Sequence, residues 1–549
     1  MASAIINAGA AARVADPPDA KVAIGGRFYR EGIAAGGSAV AATVQGDLAL
    51  QSTNLPCTSC HRRSGWGTTE GPVTTPAVVG DVMFNPVTRG NPQIGIRTTG
   101  PGTRPAYDLD SLARALRDGV DPAGRRLSAT MPTYAVSDAE VAALAAYLRT
   151  LGTPAPGVTE TTLHLATITS PSADPGRREA MLSVMREFVR TMNSETRHQT
   201  RRRERGPWDM KAHYELYRRW ELHEWSIGAN PRDWPAQLAA QYASQPVFAV
   251  VGGVADEDWS PIHAFCEQQG VPCVFPQTMA PPTRDLETGF YSLYFSPGLA
   301  LEGAALAEHL SKARVVGPGT IVVQITACGS PGEAAARVVT DALATNSTVV
   351  TRCVDRPDQL TSRSWADIVR DRRAVVVSWM GPASSAGLAG LAVAPETLER
   401  IEQVYLSSSA LGERPDLPAA VLTKAFLLDP FVAPDEFDRH AARGLAWLRS
   451  RGITTADRRA AVNALFAMTI VGEAVAMPRV LASRDYFVEQ IEHMVGRSPQ
   501  PSAYPALSLG PRRRFASLGC WVLKAPSEPE GTYAKVAPWF IPELRQPSR

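Results

Sequence analysis

No apolar run in this chain approaches the roughly 20 residues that cross a bilayer as a helix, so no membrane span is expected. Charge of one sign is also scarce. A formal net charge of +2 over 549 residues argues against an obligate polyanionic partner such as nucleic acid. Gly-x-Ser-x-Gly, P-loop and His-Glu-x-x-His motifs are missing, which removes the common signatures of hydrolases, kinases and zinc proteases. Repeats of solenoid length are missing too. The nine histidines show no metal-ligand spacing beyond His61. A composition 44 % hydrophobic and 20 % charged is that of an ordinary globular protein with room for two or three domains.

Against those absences stands Cys57-Thr58-Ser59-Cys60-His61. A Cys-x-x-Cys-His pentapeptide reads as the attachment site of one c-type haem. Positions three apart share a face of a helical turn, so both thiols can reach the haem edge while His61 ligates iron. A bare Cys-x-x-Cys also occurs in redox dithiols and half zinc sites, but no second copy is present to complete a zinc site.

Further along lies Ala129-Thr130-Met131-Pro132-Thr133-Tyr134, then Ser137-Asp138-Ala139-Glu140. Ser137 and Glu140 make a capping-box signature, and Val141, Leu144, Ala145, Leu148 and Leu151 fall on one helical face that Gly152 would end. A loop methionine thus precedes a terminal helix. Pro132 favours extended backbone at Met131. Core filler is the ordinary role of a methionine in a small domain, and Met83 is a second candidate axial ligand.

Residues 22–152 resemble a class I c-type cytochrome. The likeness rests on Gly25-Gly26-Arg27-Phe28-Tyr29-Arg30-Glu31-Gly32 as first helix, Cys57–His61, Met131-Pro132, and Ala146-Tyr147-Leu148 as the crossing helix. The resemblance implies an all-α N-terminal domain with axial ligands His61 and Met131. It implies that Pro76, in Thr74-Thr75-Pro76-Ala77, offers its carbonyl to the proximal imidazole. A His/Met pair would leave no open iron position, so this haem reads as a carrier of single electrons rather than an activator of oxygen or peroxide. An open or otherwise filled distal site is the alternative, and a catalytic oxidoreductase, which needs an open iron position, is a third reading. A periplasmic dehydrogenase or oxidase would be its redox partner.

Such haem attachment takes place outside the bacterial cytoplasm, which implies a periplasmic or otherwise exported protein. Residues 1–21 would then be an export-signal remnant or disordered leader, although no basic n-region precedes the weak apolar stretch. An oxidising compartment permits disulfides. Cys266 and Cys273 flank a helix-to-strand turn and Cys328 and Cys353 sit on candidate neighbouring strands, so both pairs are candidates, with Cys520 left over.

A Pro/Gly linker, residues 153–159, follows. Beyond it strand-like runs alternate with helical patterns: Thr162–Thr169, a helix from about Arg177 to Met192, Pro246–Gly252, Ile262–Gln269, Pro272–Pro276, Thr320–Thr326, Glu333–Ala344, Thr348–Val354, Ala374–Trp379 and Gln403–Ser407. This alternation predicts parallel sheets wound with helices. Residues 160–549 are similar to a type I periplasmic binding protein of the branched-chain amino-acid receptor group. The likeness rests on Pro246–Gly253, Gly270–Pro276, Phe290–Pro297 as the first crossing, and Gly319–Val323 opening the second lobe.

The resemblance implies an α/β domain of two lobes that close on a solute at the carboxyl ends of strands. Ser170, Gly253, Gln277, Thr278, Ser330, Trp379 and Ser407 are then cleft candidates. The sequence departs from amino-acid receptors at Val254-Ala255-Asp256-Glu257-Asp258, where those receptors commonly place serines for the ligand carboxylate. A different solute, or none, stays open. The rival reading of the whole is an ABC-transporter-type solute receptor or sensor whose haem is regulatory or structural. The basic run 197–205 reads as a solvated helix-to-strand connection, and Trp208, Trp220, Trp225 and Trp234 as packing beneath a long loop.

Overall fold

The computed structural model describes residues 20–70, 73–87, 103–205, 218–283, 289–317, 319–345, 347–411, 417–477, 479–526 and 531–543. Most of the expected leader, and Trp208, lie outside the described residues.

Helices Ala20–Glu31 and Asp138–Leu148 cross at the centre of the N-terminal part. Glycine permits the crossing: a Cβ on Gly25 would stand 2.0 Å from the Ala143 carbonyl oxygen. Tyr29 then meets Tyr147 (ring centroids 5.3 Å) and Phe28 meets Tyr134 edge-on (5.8 Å). The Ser137/Glu140 capping box starts the second helix, satisfying its first amides. Because backbone rather than a flexible side chain blocks the added methyl, Gly25→Ala should cost at least about 1–3 kcal/mol. Absorbance-monitored denaturation of this part will measure it; an unchanged midpoint would mean the helices can part without loss.

An all-α N-terminal domain is not what forms. Strands Ala41–Val44, Leu48–Gln51 and Thr133–Tyr134 make a three-stranded antiparallel sheet, and Thr68–Glu70 pairs with Val73–Thr75. The hairpin follows from the turn at Gln45 and Gly46, both at positive φ (54° and 90°), between two four-residue runs. It has a positional use. Pairing of Thr43 with Thr133 and donation from Gln45 N–H to the Ala129 carbonyl (3.0 Å) anchor the Met131 loop from both sides.

The larger part contains two sheets. Five parallel strands, in the order Ser292–Leu293, Cys273–Val274, Ala249–Val251, Thr162–Thr169, Arg219–Ser226, build lobe one. Leu163 and Leu165 face helices Pro175–Arg205 and Arg458–Val475, whereas Ala166 and Ile168 face Trp234–Ser244 and Ser260–Gln269. Burial on both faces explains the near-continuous apolar strands. Lobe two has five parallel strands, Thr348–Val354, Thr320–Ala327, Arg373–Ser378, Ile401–Ser407 and Ala425–Asp429, extended by antiparallel Trp521–Lys524 and Ala534–Lys535. The chain passes between lobes after Tyr294, returns to lobe one for helix Arg458–Val475, and crosses again after Phe515.

Two local expectations change. The basic run 197–205 continues helix Pro175–Arg205 instead of forming a connection, since Arg, Glu and Gln are good helix formers and no stop signal intervenes. Trp220 and Trp225 lie on strand Arg219–Ser226, five apart and therefore on opposite faces, and both are core residues, as is Trp234. Segment 153–159 packs on lobe one: Arg484 donates to the carbonyls of Pro156 (3.2 Å), Val247 (2.6 Å), Phe248 (3.0 Å) and Gly270 (3.2 Å).

Candidate functional site: a thiol–imidazole turn docked on lobe one, and a cleft between two lobes

Cys57 leads into the short helix Thr58–His61, in which the His61 amide donates to the Cys57 carbonyl at 2.8 Å. Neither Cys57 nor Cys60 is in a disulfide. Burial pushes the Cys57 thiol up to about 12. His61 is 6 % exposed, and its Nδ1 is 2.9 Å from the Pro76 carbonyl oxygen. That contact fixes the tautomer with Nδ1–H donating and leaves Nε2 as the free lone pair, the arrangement an iron ligand needs. The small hairpin presents Pro76, because register Thr68↔Thr75 sets the strand just before it. Gly67, at φ +72°, lets the two strands approach: a Cβ there would stand 2.2 Å from the Thr75 oxygen.

Cys57 and Met131 pack against one apolar cluster built from Phe28, Leu112, Tyr134, Leu144 and Leu148. Met83 is a buried member of that cluster, held on the short helix Gly80–Met83. Two thiols, an imidazole with its second nitrogen engaged, and a loop thioether in an apolar setting fit a covalently attached haem.

The turn after His61 is an interface. The Ser64 amide and hydroxyl donate to Glu489 Oε1 (2.9 Å) and Oε2 (2.6 Å) on helix Arg484–Met494 of lobe one. Arg63 pairs with Asp485 (3.5 Å) and lies over the rings of Phe290 (4.3 Å) and Tyr291 (5.1 Å). Arg479 covers Trp66 at 4.8 Å. Burial pushes the Glu489 carboxyl up to about 7, opposed by the two Ser64 donors. Sequence reasoning had no signal for this contact, since Ser64 and Glu489 are 425 positions apart.

Between the lobes lies a cavity of about 930 Å³. Of the cleft candidates, Gln277, Thr278, Ser330 and Trp379 line it. Ser170, Gly253 and Ser407 sit behind its wall. Ser170 donates to Glu257 (2.9 Å), Ser407 accepts from the Ala410 amide (3.1 Å), and Gly253, at φ +108°, makes room for Trp259. Apolar walls come from Phe295, Phe431, Trp379 and Tyr504. Both lining arginines are engaged: Arg177 with Asp256 (3.1 Å) and Asp457 (3.8 Å), Arg459 with Asp429 (3.3 Å) and Ser408 (2.9 Å). Asp174 and Glu257 add negative charge to lobe one's wall. Cys328, at the rim, is disulfide-bonded to Cys353, and Cys266 to Cys273 with Cα atoms 6.2 Å apart.

Among the described residues no helix is long and apolar enough to cross a membrane. No curated protein matches the chain. Similar solved structures include a fatty acid ABC transporter substrate-binding protein from Thermomonospora curvata (14 % identity, 71 % of this chain and 95 % of that one, TM-score 0.46). A solute-binding protein of an ABC transporter from Rhodopseudomonas palustris BisB5, in complex with 3,4-dihydroxybenzoic acid, is 13 % identical over 69 % of this chain and 98 % of that one (TM-score 0.49). A branched-chain amino acid ABC transporter from Thermus thermophilus with bound valine is 11 % identical over 70 % and 98 % (TM-score 0.47). The cytochrome c family model matches residues 51–152. This stretch is a cytochrome c domain, which implies a haem cofactor.

Proposed function

We propose that the protein is an exported carrier of single electrons whose two-lobed domain binds a small molecule or a redox partner. Cys57 and Cys60 would anchor one haem c through thioethers, and His61 and Met131 would hold its iron. When bound, the haem supplies a one-electron iron couple. Pro76 orients the His61 ring, and the Phe28, Tyr134 and Leu144 side chains belong to the apolar cluster against which Cys57 and Met131 pack. The two disulfides support an oxidising compartment.

One observation carries the pairing of roles. Arg63, Ser64 and Trp66, directly after His61, are the residues that bind lobe one. Helix Arg484–Met494 packs in turn on Arg458–Val475, whose Arg459 and Asn463 line the cavity. A solute held there therefore lies at one end of a chain of packed elements that ends beside the haem-binding turn.

Charge narrows the solute. The acidic Asp174, Asp256, Glu257 and Asp457 disfavour a carboxylate, and both lining arginines already hold carboxylates. A neutral or cationic molecule with an apolar body fits the aromatic walls better. Thermal unfolding of the haem-loaded protein across amino acids, organic acids, alcohols, aromatic compounds and inorganic oxyanions tests this. A ligand at a hundred times its dissociation constant should stabilise by about 2.7 kcal/mol, with hits among alcohols and uncharged or cationic aromatics and none among oxyanions. Silence throughout, with rapid haem reduction by a periplasmic dehydrogenase extract, would favour protein docking instead. The cavity also suits the receptor reading, which predicts tight solute binding with no change in midpoint potential.

A further inference from the structure

Strands Thr162–Thr169 and Arg219–Ser226 run in parallel at the edge of lobe one, with His164 opposite Glu221 and Ala166 opposite His223. Side chains two apart on a strand share a face, so this register gathers His164, Glu221 and His223 on one side of the sheet. His164 Nδ1 is 3.0 Å from His223 Nε2 and 3.5 Å from Glu221 Oε2, and the three ligand atoms lie within 4.8 Å of one another. Two ligands each about 2.05 Å from a tetrahedral zinc ion stand about 3.3 Å apart. The observed separations straddle that value.

The surroundings suit a bound cation. The His164 side chain is 13 % exposed and Glu221 40 %, and all three residues are half-buried, so a bound ion would be partly withdrawn from water and still reachable from it. His223 also lines a shallow hollow with Gln241, Ser244 and Gln245, which leaves a side open for water as a further ligand. No cationic side chain reaches the trio in the described hydrogen-bond and ion-pair contacts, and the donor set of two imidazoles and one carboxylate suits zinc-like divalent ions.

We propose that His164, Glu221 and His223 bind one divalent transition-metal ion of the zinc class. The ion would clip the edge strand Arg219–Ser226 to its neighbour, at a place on lobe one separate from both the haem-binding turn and the cleft.

The test uses the full-length, haem-loaded protein after exposure to a chelator and its removal. Calorimetric titration with zinc alone should give one ion per chain with micromolar or tighter affinity, and zinc-edge X-ray absorption should report two imidazoles and an oxygen donor, separable by element from haem iron. Glu221→Gln, a partly exposed position, should weaken binding at least about ten-fold; His223→Gln should remove the stoichiometric uptake, with an unchanged haem spectrum reporting a folded chain. No uptake at micromolar zinc overturns the proposal. So does equal uptake by wild type and Glu221→Gln, or an absorption spectrum without imidazole donors.

Discussion

Replacing Met131 with alanine should lower the haem midpoint potential by on the order of 0.1 V or more, within the roughly 0.8 V that axial ligands span. As the proposed partner of His61 in holding the iron, the neutral Met131 thioether would favour reduced iron, and its removal would leave water or nothing in its place. The variant should also take up cyanide or carbon monoxide much faster than the parent. Met131 sits in a loop anchored by Thr133 and by the Ala129 carbonyl, so alanine there removes a side chain at little cost to the fold. Met83 is the control. Buried at 7 % exposure in the core and fixed on helix Gly80–Met83, it should, as Met83→Ala, cost about 2–5 kcal/mol of stability and leave the potential nearly unchanged. If Met83→Ala moves the potential and Met131→Ala does not, the two methionines exchange roles.

Local chemistry explains which features could be read before the structure. The thiols, the imidazole, the Ser137/Glu140 cap and the apolar face after it are each written within a few consecutive positions, and local spacing dictates their geometry. The hairpin at 41–51 was equally local, but its Ala-Leu composition offers weak strand propensity, and only the turn at Gln45-Gly46 marks it. The His164–His223 juxtaposition is of another kind. It depends on which strands pair and in what register, and a shift by one residue would send the histidines to opposite faces. The seat of Ser64 on Glu489 likewise depends on how a returning helix packs on lobe one. Around the cleft, strand ends could be placed by pattern, but whether a serine such as Ser407 faces the cavity or caps the Ala410 amide behind it is decided by loop geometry.

The same burial that shapes the crossing between lobes gives the molecule a pH dependence. Glu302, on helix Leu299–Lys312, is fully buried, and burial pushes its carboxyl up to about 8, opposed by the Ser407 hydroxyl and the Ser409 amide. Nearby, Arg459 is paired with the Asp429 carboxylate. In the unfolded chain Glu302 would ionise near 4.5. Below that value both states carry the proton and no difference arises. Between about 4.5 and about 8 the unfolded chain loses the proton while the folded one keeps it, so stability falls as pH rises. The slope from this one group is about 1.4 kcal/mol per pH unit. Glu302→Gln keeps the acceptor for Ser409 and cannot ionise, so denaturant unfolding of the variant at pH 5, 6, 7 and 8 should give a markedly flatter profile than the parent, with the largest gain at pH 8. Parallel profiles would mean that the folded protein already carries Glu302 as its anion, and that water or a polar neighbour compensates the charge at the lobe crossing.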